Sequence, residues 1–153
     1  MTPRLKAYLD SEEIKYVSIN HSPAYTIQEV ATSTHVPTWL LAKTVIVELD
    51  GELTMVVLPA NKKVLLQDLR EITGSAIVRC ASERDFARKF PDCETGAMPP
   101  FGNLYGMEVY VAESLAQNHE IAFNAGSHTE VVKMSYADFD RLVHPKVLAA
   151  FTT

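Results

Sequence analysis

The spacing of apolar positions changes along the chain, and each change marks an element. Leu5, Tyr8 and Leu9 recur at helical intervals with Glu12 on the same period, which predicts an opening helix over residues 3–13. Tyr16-Val17-Ser18-Ile19 is a short strand candidate. Thr26 is followed three residues later by Glu29, the form of a capping box, so a helix should run from there to about His35 before Pro37 breaks it. Lys43 to Leu49 carries the β-branched run Thr44-Val45-Ile46-Val47, then Asp50-Gly51, then the apolar segment Leu53 to Leu58. An Asp-Gly pair between two such runs predicts a β-hairpin, with Lys43 at the start of its first strand.

The second half has a different rhythm. Residues 62–72 read as a helix closed by Thr73-Gly74, and Ala76-Ile77-Val78 as a short strand. Ser82 and Asp85 form another capping box, opening a helix through about Phe90. Residues 107–111, 120–123 and 130–134 are apolar and partly β-branched, predicting three strands. Asn124 to Ser127 is turn-like between the last two, and Ser135 with Asp138 caps a final helix that ends before Pro145. Strands do not alternate regularly with helices, so a doubly wound sheet is excluded. The prediction is one α+β domain over residues 1–153, with a mixed, partly closed, barrel-like sheet surrounded by helices.

Composition narrows the class further. An apolar fraction of 47% with 22% charged residues excludes disordered and fibrous chains. The formal charge of −5 argues against non-specific binding to duplex nucleic acid, which needs many phosphate contacts. A local basic patch is compatible with it. Lys62, Lys63, Arg70, Arg79, Arg84, Arg88 and Lys89 gather in mid-chain, either to grip one end of a nucleic acid or as a solvated helical face. Cys80 and Cys93 fit no zinc or redox spacing, and the start of the chain has no apolar leader core. Both point to a reducing cytoplasm. No apolar run approaches the ~20 residues of a membrane span, and no coiled-coil pattern appears, so a monomer is the default expectation.

Candidate chemistry is sparse. The Gly-rich nucleotide motifs and the GxSxG elbow are absent. His21, His35, His119, His128 and His144 show no metal-ligand spacing and read as surface or structural residues; no metal and no cofactor is expected. Trp39 reads as core. Three segments stand out. Gly96-Ala97-Met98-Pro99-Pro100-Phe101-Gly102 sets two fixed φ angles between permissive glycines, so it should be a stiff loop that aims backbone groups at a ligand. Lys43 interrupts an apolar run, so its ammonium either snorkels to water or points into a cleft to hold an anion such as phosphate. Asn124-Ala125-Gly126-Ser127 is either a plain turn or a second pocket wall.

These pieces occur together in a telling order: Leu41-Ala42-Lys43-Thr44 leading into the hairpin, the Gly96 loop with its GxxxP core, and Phe123-Asn124-Ala125-Gly126-Ser127 before the last strand. Over roughly residues 15–140 the chain resembles the YbaK-like family, relatives of the editing domain inserted in bacterial prolyl-tRNA synthetases. The resemblance implies hydrolysis of the ester joining a wrong amino acid to tRNA. It implies Lys43 near the terminal adenosine and its phosphate, and Gly96 placing the ester or the attacking water through its backbone. Thr44, Pro99, Pro100, Phe101, Gly102, Asn124, Ala125, Gly126 and Ser127 would then line the substrate site. The implied partner is the 3′ end of a mischarged aminoacyl-tRNA, with prolyl-tRNA synthetase as a further candidate. Alanine-directed members carry a histidine where Asn124 aligns, and Asn124 cannot titrate near neutral pH. Thr44 resembles cysteine-directed members, so alanine, cysteine and serine all stay open. An already activated ester can be hydrolysed by positioning and backbone hydrogen bonds, without a triad or metal. The alternatives are a non-catalytic module that binds tRNA or a nucleotide in the same cleft, and a hydrolase of another small ester.

Overall fold

In the computed structural model, which describes residues 1–153, one mixed sheet of eight strands organises the chain. Its elements in order are α1 (Pro3–Ser11), β1 (Tyr16–Asn20), α2 (Ile27–Thr34), β2 (Leu41–Leu49), β3 (Glu52–Pro59), α3 (Leu66–Thr73), β4 (Val78–Cys80) and α4 (Glu83–Phe86). Then come β5 (Val109–Ala112), α5 (Glu113–Ala116), β6 (Glu120–Asn124), β7 (Glu130–Ser135), α6 (Tyr136–Val143) and β8 (Lys146–Leu148). The strand order is β1-β7-β6-β2-β3-β5-β8, with β4 also on β2. The sheet is mixed as expected and curls without closing, since β1 and β8 remain edges.

Local chemistry accounts for most boundaries. The Thr26 hydroxyl accepts from the Glu29 N–H at 3.1 Å and starts α2, and Ser135 accepts from Asp138 N–H at 3.1 Å and starts α6. Ser82 and Asp85 make the full reciprocal box on α4. At the β2–β3 turn, Asp50 and Gly51 both take positive φ, 50° and 87°, the geometry a twisted two-residue hairpin requires. The Asp50 carboxylate also accepts from the N–H groups of Ala76 and Ile77, at 2.9 and 2.8 Å, tying the approach to β4 onto the hairpin.

Four expectations shift. The helix predicted from residue 62 begins at Leu66, because residues 63–65 are held extended by the C-terminal tail: Leu65 N–H donates to Phe151 and Thr153 N–H to Lys63. The short strand lies at Val78–Cys80 rather than 76–78, in register with Val47–Leu49 of β2. Beyond Pro145 the chain adds β8, parallel to β5, which no alternating pattern announces. Trp39, read as core, is 57% exposed.

The core that matters for the site lies where α1, α6 and the Gly96–Gly102 loop meet the sheet. Phe101 is fully buried, with ring centroids 5.5 Å from both Phe123 and Phe139 in edge-to-face packing and 6.3 Å from Tyr8. Gly102 follows in a short 3-10 turn (Gly102–Leu104), where a Cβ would stand 2.6 Å from both the Met107 carbonyl oxygen and a Val109 methyl. Gly102→Ala should therefore cost about 1–3 kcal/mol by overpacking against backbone that cannot give. A lowered urea midpoint with unchanged m-value checks it, and an unshifted midpoint refutes it.

Candidate active site

The site sits where two neighbours of β2 part. On one edge of β2, Leu41 and Ala42 pair in parallel with Ala122 and Phe123 of β6, while Val47–Leu49 pair with β4. Between these pairings the edge from Lys43 to Val45 has no strand beside it. The register that sets Ala42 against Phe123 brings Lys43 next to Asn124 at the end of β6. A cavity of about 180 Å³ opens there, lined by Tyr25, Ile27, Ala42, Lys43, Thr44, Gly96, Met98 and Asn124.

Each wall has a local cause. Tyr25 and Ile27 flank Thr26, so the cap of α2 delivers them. Gly96 takes φ of 86°, a conformation costly for any side chain, in a turn closed by Ala97 N–H to the Glu94 carbonyl at 3.0 Å. That turn is laced to the segment after β6. Gly126 N–H donates to the Ala97 carbonyl at 2.9 Å, and Glu94 N–H to the Gly126 carbonyl at 2.8 Å. Gly126 itself has φ of 101°, and a Cβ there would strike the Thr2 methyl.

Four of the residues singled out from the sequence therefore share one cavity: Lys43, Thr44, Gly96 and Asn124. The others lie elsewhere. Pro99, Pro100, Phe101 and Gly102 are buried and anchor the loop in the core, and Ala125 and Gly126 are buried behind it. Ser127 bonds Thr129 at 3.1 Å, outside the lining. The stiff loop thus splits: Gly96 and Met98 face the cavity, and Pro99 to Gly102 fasten the loop in the core. Sequence reasoning missed Tyr25, Ile27, Ala42 and Met98 as wall residues. Only the capping box at Thr26 hinted that the two beside it are held in place.

The polar groups in the cavity lack partners within the protein. Asn124 is 9% exposed and its Oδ1 is buried without a hydrogen bond. Lys43 makes no salt bridge. Burial, and then the charge of Lys63, hold the Lys43 ammonium below the ordinary lysine pKa. Gly96 N–H meets only the thioether of Met98, at 3.3 Å, a weak acceptor. A cation, an acceptor and a donor are thus gathered unsatisfied around a small space. No group of three or more His, Cys, Asp or Glu side chains could hold a metal ion.

The chain as a whole is similar to known proteins. A model of the aminoacyl-tRNA editing domain matches residues 21–142. The chain belongs to the aminoacyl-tRNA editing domain family. The editing domain is 29% identical over 143 residues to the prolyl-tRNA editing protein ProX of Acetoanaerobium sticklandii, across 90% of this chain and 87% of that protein. Its fold superposes on the crystal structure of hypothetical protein APE2540 with a TM-score of 0.85 at 18% identity, covering 98% of this chain and 99% of that one. A putative trans-editing enzyme for prolyl tRNA synthetase gives 0.78 at 17% identity, with 97% of each chain covered. The editing domain is an aminoacyl-tRNA deacylase whose substrate class is mischarged aminoacyl-tRNA. No helix is long and apolar enough to cross a membrane.

Unpaired polar groups cost stability, which gives two expectations. Asn124→Leu, near in shape and without the orphaned acceptor, should raise unfolding free energy by about 1–3 kcal/mol in denaturant titrations. Lys43→Met should also be the more stable form at pH 7, because folding penalises the wild-type ammonium. A depressed folded pKa means the unfolded chain binds the proton more tightly, so wild type gains stability as pH rises from the folded value to about 10.5. The gap between variant and wild type should narrow across that window, and a constant gap would refute desolvation as its cause.

Proposed function

We propose that the protein acts as a free-standing editing hydrolase that removes a small amino acid such as alanine, cysteine or serine from mischarged tRNA of the prolyl type. The observation that carries this reading is the cavity of about 180 Å³ bounded by Lys43, Gly96 and Asn124. It is smaller than the several hundred Å³ of a typical ligand pocket. Such a volume suits the aminoacyl group alone, with the nucleotide outside. The similarity to ProX supports the prolyl assignment.

In this reading the carbonyl of the ester lies toward the Gly96 N–H. Water adds to the carbonyl carbon, and charge builds on the carbonyl oxygen. The Gly96 donor, now held by a weak sulfur acceptor, meets that oxygen at little cost. Asn124 Oδ1 accepts from the substrate's α-ammonium, which relieves its burial. Lys43 attracts the terminal phosphate as a point charge. The proton leaving the water passes through solvent to the departing ribose oxygen as the carbon–oxygen bond breaks. The products are a free amino acid and an uncharged tRNA end. Selection is by size: Ile27, Ala42 and Met98 form the apolar part of the wall.

A deacylation panel tests this. tRNA for proline, charged separately with alanine, cysteine, serine and proline, should lose at least one of the three small residues faster than in buffer. Lys43→Ala should slow that reaction about 10²- to 10³-fold, the usual loss for one electrostatic group, with the circular dichroism spectrum intact. Saturable tRNA binding without release of amino acid would replace the proposal with a binding module.

A further inference from the structure

His128 lies outside the cavity lining but next to its backbone donor. Its ring Nε2 is 2.9 Å from the Thr95 carbonyl oxygen, which can only accept, so the proton sits on Nε2. The Thr95 carbonyl and the Gly96 N–H belong to one trans peptide unit, a rigid plane in which they point in opposite directions. Whatever holds the oxygen therefore aims the N–H. The ring also lies beside the glycine: its Cε1 is 3.7 Å from where a Cβ on Gly96 would stand.

His128 is itself fixed from several sides. Its own N–H donates to Glu94 Oε2 at 2.9 Å, and its carbonyl accepts from Ala24 N–H at 3.1 Å. The Tyr25 ring packs on it at a centroid distance of 5.0 Å, and the His128 side chain is only 12% exposed. Tyr25 lines the cavity and is 73% exposed, so the imidazole also props one wall of the site.

We infer that His128 is a positioning residue: by holding the Thr95 carbonyl it orients the Gly96 N–H toward the reacting ester, and by backing Tyr25 it fixes the cavity mouth. This rests on the proposed hydrolysis for its functional meaning, while the geometry stands apart from it. The role needs a hydrogen-bond donor at Nε2, not a titrating nitrogen. Its carbonyl bond survives in both the Nε2–H tautomer and the imidazolium. A general base acting through Nε2 would need that nitrogen free of its proton, which the Thr95 contact opposes.

The test compares His128→Ala with His128→Gln, whose amide can donate from nearly the same place. His128→Ala should lower kcat about 10- to 100-fold, the scale of a small misplacement of reacting groups, with KM changed less than about twofold if the loss is in transition-state alignment. His128→Gln should recover most of kcat. In ¹H–¹⁵N spectra the Gly96 amide should shift in the alanine variant and return toward its wild-type position in the glutamine variant. An unmoved Gly96 amide in His128→Ala overturns the inference, as does a folded His128→Gln as slow as alanine. If His128→Ala does not fold, the Gln variant decides alone: a Gly96 amide near the wild-type position supports the inference, and a displaced one overturns it. If wild type deacylates nothing in the panel, the proposed function fails, and the Gly96 shifts still decide the strut.

Discussion

Two residue pairs join the halves of this sheet. Strands β1, β7 and β6 meet β2, β3, β5 and β8 only through the parallel pairing of Leu41–Ala42 with Ala122–Phe123. The joint is short, so it is reinforced around its ends. Ala122 N–H donates to the Leu40 carbonyl at 3.2 Å, and the Asn118 amide donates to the Trp39 carbonyl at 3.0 Å. Phe123, fully within the core, adds packing through Phe101. The brevity of the joint also creates the cavity. A longer β2–β6 ladder would cover the edge at Lys43, and no joint would separate Lys43 from Asn124.

From that joint the site assembles in layers. The cavity walls come from four places in sequence: the cap of α2, the start of β2, the end of β6 and the Gly96 turn. The turn is bonded to the segment after β6 by two backbone hydrogen bonds and anchored in the core by Phe101. Rigid support of this kind suits hydrolysis that relies on aim rather than on a strong nucleophile. The cost is visible in the orphaned Asn124 oxygen and the desolvated Lys43 ammonium. Both are groups a stability-optimised chain would replace.

Local elements were largely legible in the residues. The N-cap at Thr26, the capping box at Ser82, the Asp50-Gly51 hairpin and the strand runs depend on neighbours a few positions apart, so sequence carries them. The errors fell where distant chain intervenes. Residues 63–65 were drawn out of a helix by pairing with the tail, and β8 exists because β5 offers an edge to pair with. Trp39 reads as apolar and stands exposed because the chain turns at Pro37 before entering the sheet.

For the site, the sequence by itself determined the kinds of group: a lysine interrupting an apolar run, a glycine able to take positive φ, an amide beside a small turn, and a family pattern linking them. Only the tertiary structure decided which of them meet. Lys43, Thr44, Gly96 and Asn124 converge because a two-pair parallel register sets β2 beside β6. Phe101 and Gly102, in the same loop, turn the other way because burial of an aromatic ring is favourable and the space beside Gly102 admits no side chain. Tyr25 and His128 gained their places through contacts across a hundred residues of chain, which no local spacing encodes.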